Sequence, residues 1–284
     1  MKLSNGSVDT YTPDGTSPSQ ALARTTHLGV GAHADDLEIL AWPGIAHCYG
    51  NSAHWFSGVV VTDGAGSPRS GPYAGFSDAE MAATRQQEQR RAAARGKYSA
   101  LLQLGYTSQT LKSERTSNVS GDLLQIFTAS QAEVIYLHNL ADSHATHVAS
   151  ALASIEALRQ LPAGLQPAEL YGVEIWRNLD WLPQAHRAEL EVDPANTLQA
   201  ELLREFDSQL SGGKRYDLAV AGRQVANATF SQSHRTDRFQ ASVLAMDLLP
   251  LLRDSSLAPG EFLRGIIDEF SNDVLGRFCD DDVQ

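Results

Sequence analysis

Four short apolar runs alternate with helical stretches along the chain, and this alternation limits the fold more than any other feature. Leu28-Gly29-Val30-Gly31-Ala32, residues 54–62 with Val59-Val60-Val61 at their centre, Val134-Ile135-Tyr136-Leu137 and residues 171–176 read as buried strands. Helices are expected over residues 39–49, 77–104, 122–128, from the His144 region to about 160, and over 197–210, 239–252 and 261–278. Pro43 fits the first of these only in its opening turn. Ser77-Asp78-Ala79-Glu80 has the form of a capping box. Strands alternating with helices predict an α/β layer fold with a mostly parallel sheet. In such sheets ligands bind beyond the carboxyl ends of the strands. Three polar segments follow strands and belong on that edge: His33 to Glu38, Asp63, and the stretch around His144.

The chain has 284 residues, 42% of them hydrophobic, which suffices for one large core. There is no internal repeat and no long linker. Residues 1–26, rich in Ser, Thr, Gly, Pro and Asp, read as a flexible tail, and residues 27–284 as one domain. The net charge of -12 argues against nonspecific binding to nucleic acid or an anionic membrane. No run approaches the roughly 18 apolar residues of a membrane span, and the tail lacks the apolar core of a signal peptide. Cys48 and Cys279 stand far apart without CxxC spacing, so no disulfide framework is expected. The expectation is a cytoplasmic protein.

His33-Ala34-Asp35-Asp36-Leu37-Glu38 sets three carboxylates and an imidazole within six residues. A divalent cation relieves their repulsion. His33 and Asp36, three apart, can grip one ion from a single turn, with Asp35 facing a water on it. The bland reading is a solvated helix start, where acids favour the dipole, but it leaves His33 unexplained. Asp142-Ser143-His144-Ala145-Thr146-His147 offers two imidazoles on one helix face. Asp142 reads as a helix cap and His138 as a core-edge histidine. Together the stretches supply His, Asp and His, three ligands with one position open, as in a catalytic zinc site. Asp35 can then take a proton from the activated water, and His144 can stabilise an oxyanion or protonate a leaving amine.

His33 to Glu38 resembles the HPDDxE motif of the PIG-L/LmbE-like deacetylases, and the segment 142–147 resembles that family's later HxDH element. Val61-Thr62-Asp63-Gly64 and the Arg85/Glu88 pair also look like it. The resemblance covers roughly residues 27–160. It implies a Rossmann-like three-layer αβα sandwich, a Zn2+ ion or another divalent ion on His33, Asp36 and His147, Asp35 as general base and His144 as its partner. It further implies removal of an acetyl group from an N-acetylated amino sugar or its conjugate, a small molecule, and leaves room for a homo-oligomer. Ala34 replaces the family's proline, Thr146 its acid, and Trp42 stands in its glycine-rich stretch, where packing is the favoured role. Asp63 is either a turn residue or a contact to a sugar hydroxyl. Arg85 is either a substrate contact or an ion-pair partner of Glu88. The loop 64–76 is expected to act as a lid.

Two other functions compete. Gly29-Val30-Gly31-Ala32-His33-Ala34 fits G-x-G-x-x-A, a dinucleotide fingerprint, with Asp63 as the ribose acid. Asp35 and Asp36 would, however, confront the pyrophosphate. A non-catalytic metal- or sugar-binding relative is the second alternative, suggested by Thr146 and opposed by the intact Asp35.

Overall fold

The computed structural model describes residues 1–113, 117–211 and 213–278. The described residues form one sheet of eight strands: β1 Asp9–Tyr11, β2 His27–Gly31, β3 Phe56–Thr62, β4 Ala100–Tyr106, β5 Val134–His138, β6 Glu169–Val173, β7 Arg187–Glu191 and β8 Ser242–Asp247. Their order is β1-β4-β3-β2-β5-β6-β8-β7. The central five, β4 through β6, run parallel. The flanking pairings, β1 with β4, β6 with β8 and β8 with β7, are antiparallel. This is the mostly parallel α/β sheet expected from the alternation.

Every residue of β2 and β3 is buried, as strands covered on both faces must be. Leu28, Val30, Val59, Val61 and Leu102 point into one core, under the helices Ser117–Ser130 and Ala145–Arg159. Val60, Leu101 and Tyr136 point into the other, under the helices Asp36–Leu40 and Trp42–Cys48. Helix, sheet and helix thus make three layers. Gly29 brings the second helical layer close: a Cβ there would stand 2.8 Å from that of Ala41. Trp42, 1% exposed, is core, as its packing role required.

Several elements differ from expectation. The stretch 39–49 is two helices broken at Ala41, which puts Pro43 in the first turn of the second. The capping box forms, with Ser77 N–H donating to Glu80 Oε2 at 2.8 Å and Glu80 N–H to Ser77 Oγ at 3.3 Å. That helix stops at Arg95, however, and the chain re-enters the sheet as β4. The leucines of β4 continue an Ala-rich helical pattern in sequence, but both sheet faces bury them. Residues 239–252 hold β8 and the short helix Pro250–Arg253 instead of one helix, and 197–210 splits into Leu198–Leu203 and Asp207–Leu210. The edge strand β7 and the helix Tyr216–Thr229 were not foreseen. The closing helix Pro259–Leu275 buries Phe262 and Ile266 from the four-residue repeat, while Phe278 is exposed.

The flexible-tail reading of residues 1–26 is overturned. β1 pairs with β4 in the register Asp9 to Gln103. Asp9 Oδ2 accepts from Arg90 Nε at 2.8 Å and Gln103 Nε2 at 2.9 Å, and Ala21 and Leu22 are buried in the first core. A polar composition concealed a strand and the helix Pro18–Ala23 whose apolar side is only two residues wide. No helix among the described residues is long and apolar enough to cross a membrane. Cys48 is a free, buried thiol, while Cys279 lies outside the described residues.

Candidate metal centre

Strand order reverses at β2, with β3 and β4 on one side and β5 and β6 on the other. A crevice therefore opens beyond the carboxyl ends of β2 and β5. The acidic turn leaves β2 there, and the loop after β5 enters the Ala145–Arg159 helix beside it.

Asp35 adopts φ 83°, a left-handed conformation that non-glycine residues seldom take. Its N–H donates to Gln89 Oε1 at 3.0 Å, and its Oδ2 accepts from Arg85 Nη2 at 3.1 Å. Arg85 also donates to the Ala34 carbonyl. Gln89 in turn donates to Glu38 at 2.8 Å, and Tyr98 does so at 2.7 Å. The turn is thereby clamped to the Asp78–Arg95 helix. A Cβ on Gly31 would lie 2.9 Å from that of Asp36, so the strand end needs glycine for the turn to fold back.

The two distant segments meet. His33 Nδ1 is 3.2 Å from His147 Nε2. Asp36 Oδ2 is 3.4 Å from His33 Nδ1, and Asp36 Oδ1 is 3.4 Å from His147 Nε2. Ligands about 2.0–2.1 Å from a tetrahedral ion stand about 3.3–3.4 Å apart. The two imidazole nitrogens are therefore spaced for one ion of zinc's size, with Asp36 turning one carboxylate oxygen toward each of them, and these nitrogen and oxygen atoms suit other divalent ions too. His144 joins His33 and His147 in a converging triplet, as His138 joins Asp36 and His147. His138 Nε2 accepts the Ala32 N–H at 2.9 Å, which engages the lone pair facing Asp36 Oδ2, 3.3 Å away. Its ring stacks on His147 with centroids 3.8 Å apart. It is a wall of the site.

Asp142 caps the site from behind. Its Oδ2 accepts from His147 Nδ1 at 3.3 Å and from the Trp176 N–H at 3.3 Å, and its Oδ1 from the His144 N–H at 2.9 Å. A carboxylate on the far nitrogen fixes the tautomer that turns Nε2 toward an ion. Sequence reasoning missed both His138 and Asp142 as parts of the site. The available signals were the position of His138 at the end of a strand and the five-residue spacing from Asp142 to His147.

The charges follow the geometry. Burial acts to raise Asp36, but the imidazoles of His147 and His138 outweigh it and hold this carboxyl well below the usual range. Burial pushes Asp35 up to about 6, against the pull of Arg85. Burial also carries Glu38 to about 7 and lowers His138 to about 4. His147 is raised, because Asp36 and Asp142 outweigh its burial, whereas burial and the neighbouring His147 lower His144.

A cleft of about 360 Å³ opens onto His33, Asp36, His144 and His147, bordered by Arg85 and the Gly64–Pro68 part of the long loop. Asp35, 7% exposed, does not line it. Nor does Asp63. Its Oδ1 accepts the Ala65 N–H at 3.0 Å, making a turn, and it borders a separate hollow of about 280 Å³. Arg85 is 3% exposed and spends its contacts on Asp35, Ala34 and, at 3.7 Å, Glu88. The dinucleotide reading fails here. Gly29 and Gly31 admit a helix and an aspartate instead of a pyrophosphate, and two carboxylates occupy the place of the phosphates.

Residues 28–158 match the family described as PIG-L: GlcNAc-PI de-N-acetylase. No curated protein matches the chain. Among solved structures it is similar to GalB, the 4-carboxy-2-hydroxymuconate hydratase from Pseudomonas putida KT2440, at 16% identity over 78% of this chain and 95% of that one, TM-score 0.59. It is similar to the N,N'-diacetylchitobiose deacetylase from Pyrococcus horikoshii at 17% identity over 82% and 88%, TM-score 0.57. It also resembles the zinc-inhibited form of teicoplanin deacetylase at 14% identity over 78% and 96%, TM-score 0.53. These likenesses show a shared fold, one that hosts a hydratase as well as deacetylases.

Proposed function

We propose, from the match of residues 28–158 to the PIG-L family, that the chain hydrolyses the N-acetyl amide of an amino sugar or sugar conjugate, releasing acetate and a free amine. One observation carries the reading: His33, Asp36 and His147, 114 residues apart at the extremes, place their donors at 3.2–3.4 Å. A divalent ion held there, zinc or another of its size, supplies Lewis-acid polarisation of the acetyl carbonyl and acidifies a water.

The side chains account for the remaining work. His33 Nδ1, His147 Nε2 and a carboxylate oxygen of Asp36 are the ligands, and Asp142 orients His147. Asp35 takes the proton-acceptor role that the motif resemblance implies: it adjoins the ligand Asp36 in the turn, and Arg85 holds its Oδ2. His144 borders the cleft with its ring centroid 5.0 Å from that of His33. Its place suits it to stabilise the oxyanion or to protonate the leaving amine. Thr146 stands where the family motif has an acid, and His144 Nδ1 is buried without a partner among the described residues. His144 therefore acts without a carboxylate of its own. Arg85 serves as a positioning residue for Asp35, and Asp63 shapes the loop that borders the cleft. A small-molecule substrate met in the cytoplasm suits the acidic chain and its free buried thiol.

The shared fold of the hydratase makes water addition to a carbon–carbon double bond the rival outcome. The test is acetate release from a panel of N-acetyl sugars by the zinc-loaded protein, with and without a chelator. Asp35→Asn should keep its metal and lose about 10²–10⁴-fold in turnover. Absence of acetate from every sugar, or full turnover in Asp35→Asn, would overturn the reading.

A further inference from the structure

The cleft carries a second group of side chains that hydrolysis itself does not use. Trp176, 44% exposed, follows β6 and lines the cleft with Tyr216 and Lys214. Its place is fixed by the site. The Trp176 N–H donates to Asp142 Oδ2, the oxygen that also orients His147. The Tyr216 ring stands edge-on to the indole with centroids 6.3 Å apart. Lys214 Nζ lies 4.9 Å from the indole centroid and has no acidic partner among the described residues. Lys112 adds a second ammonium to the same cleft.

Two features need explanation. A large indole half open to water beside a polar site offers a flat apolar face, the surface that matches the C–H face of a pyranose. The chain as a whole carries -12 and repels anions at a distance, yet this cleft draws two lysines to its lining. An ammonium over an exposed indole is weakly held, and an anion bearing several acceptor oxygens offers it stronger, charge-assisted hydrogen bonds.

We propose that Trp176, Tyr216 and Lys214 form the sugar subsite of this cleft, and that it selects an N-acetylated amino sugar bearing an anionic group, a phosphate or a carboxylate. This rests on the deacetylase reading. The pyranose lies on Trp176, Lys214 swings from the indole to the anion, and the acetamido group is left facing His33, Asp36 and His147. Because Asp142 joins the Trp176 backbone to His147, the sugar platform and the ion are held in one frame.

The test uses zinc-loaded Asp35→Asn, so that ligands stay intact, and calorimetric titration with N-acetylglucosamine, N-acetylglucosamine 6-phosphate, N-acetylglucosamine 1-phosphate and N-acetylmuramic acid. At least one anionic sugar should bind ten-fold or more tightly than N-acetylglucosamine, and the margin should shrink as salt is raised. The phosphate and carboxylate arms tell which anion is read. Adding Lys214→Gln should bring the preference close to one, and adding Trp176→Ala should weaken every sugar by ten-fold or more. Equal affinity for neutral and charged sugars, or an undiminished preference in Lys214→Gln, overturns the proposal. If the wild-type protein releases acetate from N-acetylglucosamine while no preference appears, only the subsite fails. If no sugar binds and none is hydrolysed, the deacetylase reading fails with it.

Discussion

Asp142→Asn isolates one carboxylate that touches neither the proposed ion nor its water. The wild-type Oδ2 accepts two hydrogen bonds, from His147 Nδ1 and the Trp176 N–H, both at 3.3 Å, while Oδ1 accepts the His144 N–H at 2.9 Å. Asparagine has one acceptor oxygen. If that oxygen serves His144, the new NH₂ confronts two donors, and His147 is free to change tautomer or rotate. Losing the outer partner of a metal-bound histidine typically costs 10–100-fold in metal affinity, or about 1.4–2.7 kcal/mol. The assay is competition for zinc against a chromogenic chelator at pH 7.5, accompanied by urea unfolding of the metal-free protein to separate loss of metal from loss of fold. Zinc affinity within two-fold of wild type, in a variant that still folds, would refute the role given to Asp142 and weaken the assignment of His147 as a ligand.

Leu22→Ala should cost about 2–4 kcal/mol of unfolding free energy, because Leu22 is 1% exposed within the first core. A loss below about 0.5 kcal/mol would mean that residues 1–26 are detachable after all. Gly31→Ala should lower zinc affinity by more than ten-fold, since its Cβ would press within 2.9 Å of the Asp36 Cβ; unchanged affinity would show that the turn yields at no cost. His27, far from the cleft, has its pKa lowered from 6.5 to about 4 by burial and by His47 and His54. The unfolded chain therefore binds the extra proton first. Stability is full above pH 6.5, is lost as pH falls, and the loss is complete near pH 4. By pH 5 it should reach at most about 2 kcal/mol. Urea midpoints at pH 7.5 and 5 should move less in His27→Gln than in the wild-type protein, and an equal shift would exclude His27 as the cause.

The parallel centre of the sheet was legible because β2, β3 and β5 are buried on both faces and read as unbroken apolar runs. β4 and β8 were not. Ala100-Leu101-Leu102 and Leu244-Ala245-Met246 are built from residues that favour helices, and only their neighbours in the sheet impose the extended form. β7 is half-buried at the edge and carries Arg187, Glu189 and Glu191. His33, Asp36 and His147 stood out because short-range spacing and residue type were enough to suggest them. His138 and Asp142 owe their places to β5 lying beside β2, a neighbour relation that skips β3 and β4 and that no local pattern expresses. For Asp63 the sequence left two roles open, a turn residue or a sugar contact, and its Oδ1 is used within two residues of itself, in the turn.

The separation of His33 from His147 also orders events in time. A ribosome extrudes the histidine–aspartate half of the proposed ion seat more than a hundred residues before the imidazole that would complete it. Until β5 has emerged and slotted in against β2, a nascent chain offers an ion only half a grip. Loading should accordingly be a late step in the birth of this protein, and C-terminal truncations ending before residue 147 should reach the cell without cargo.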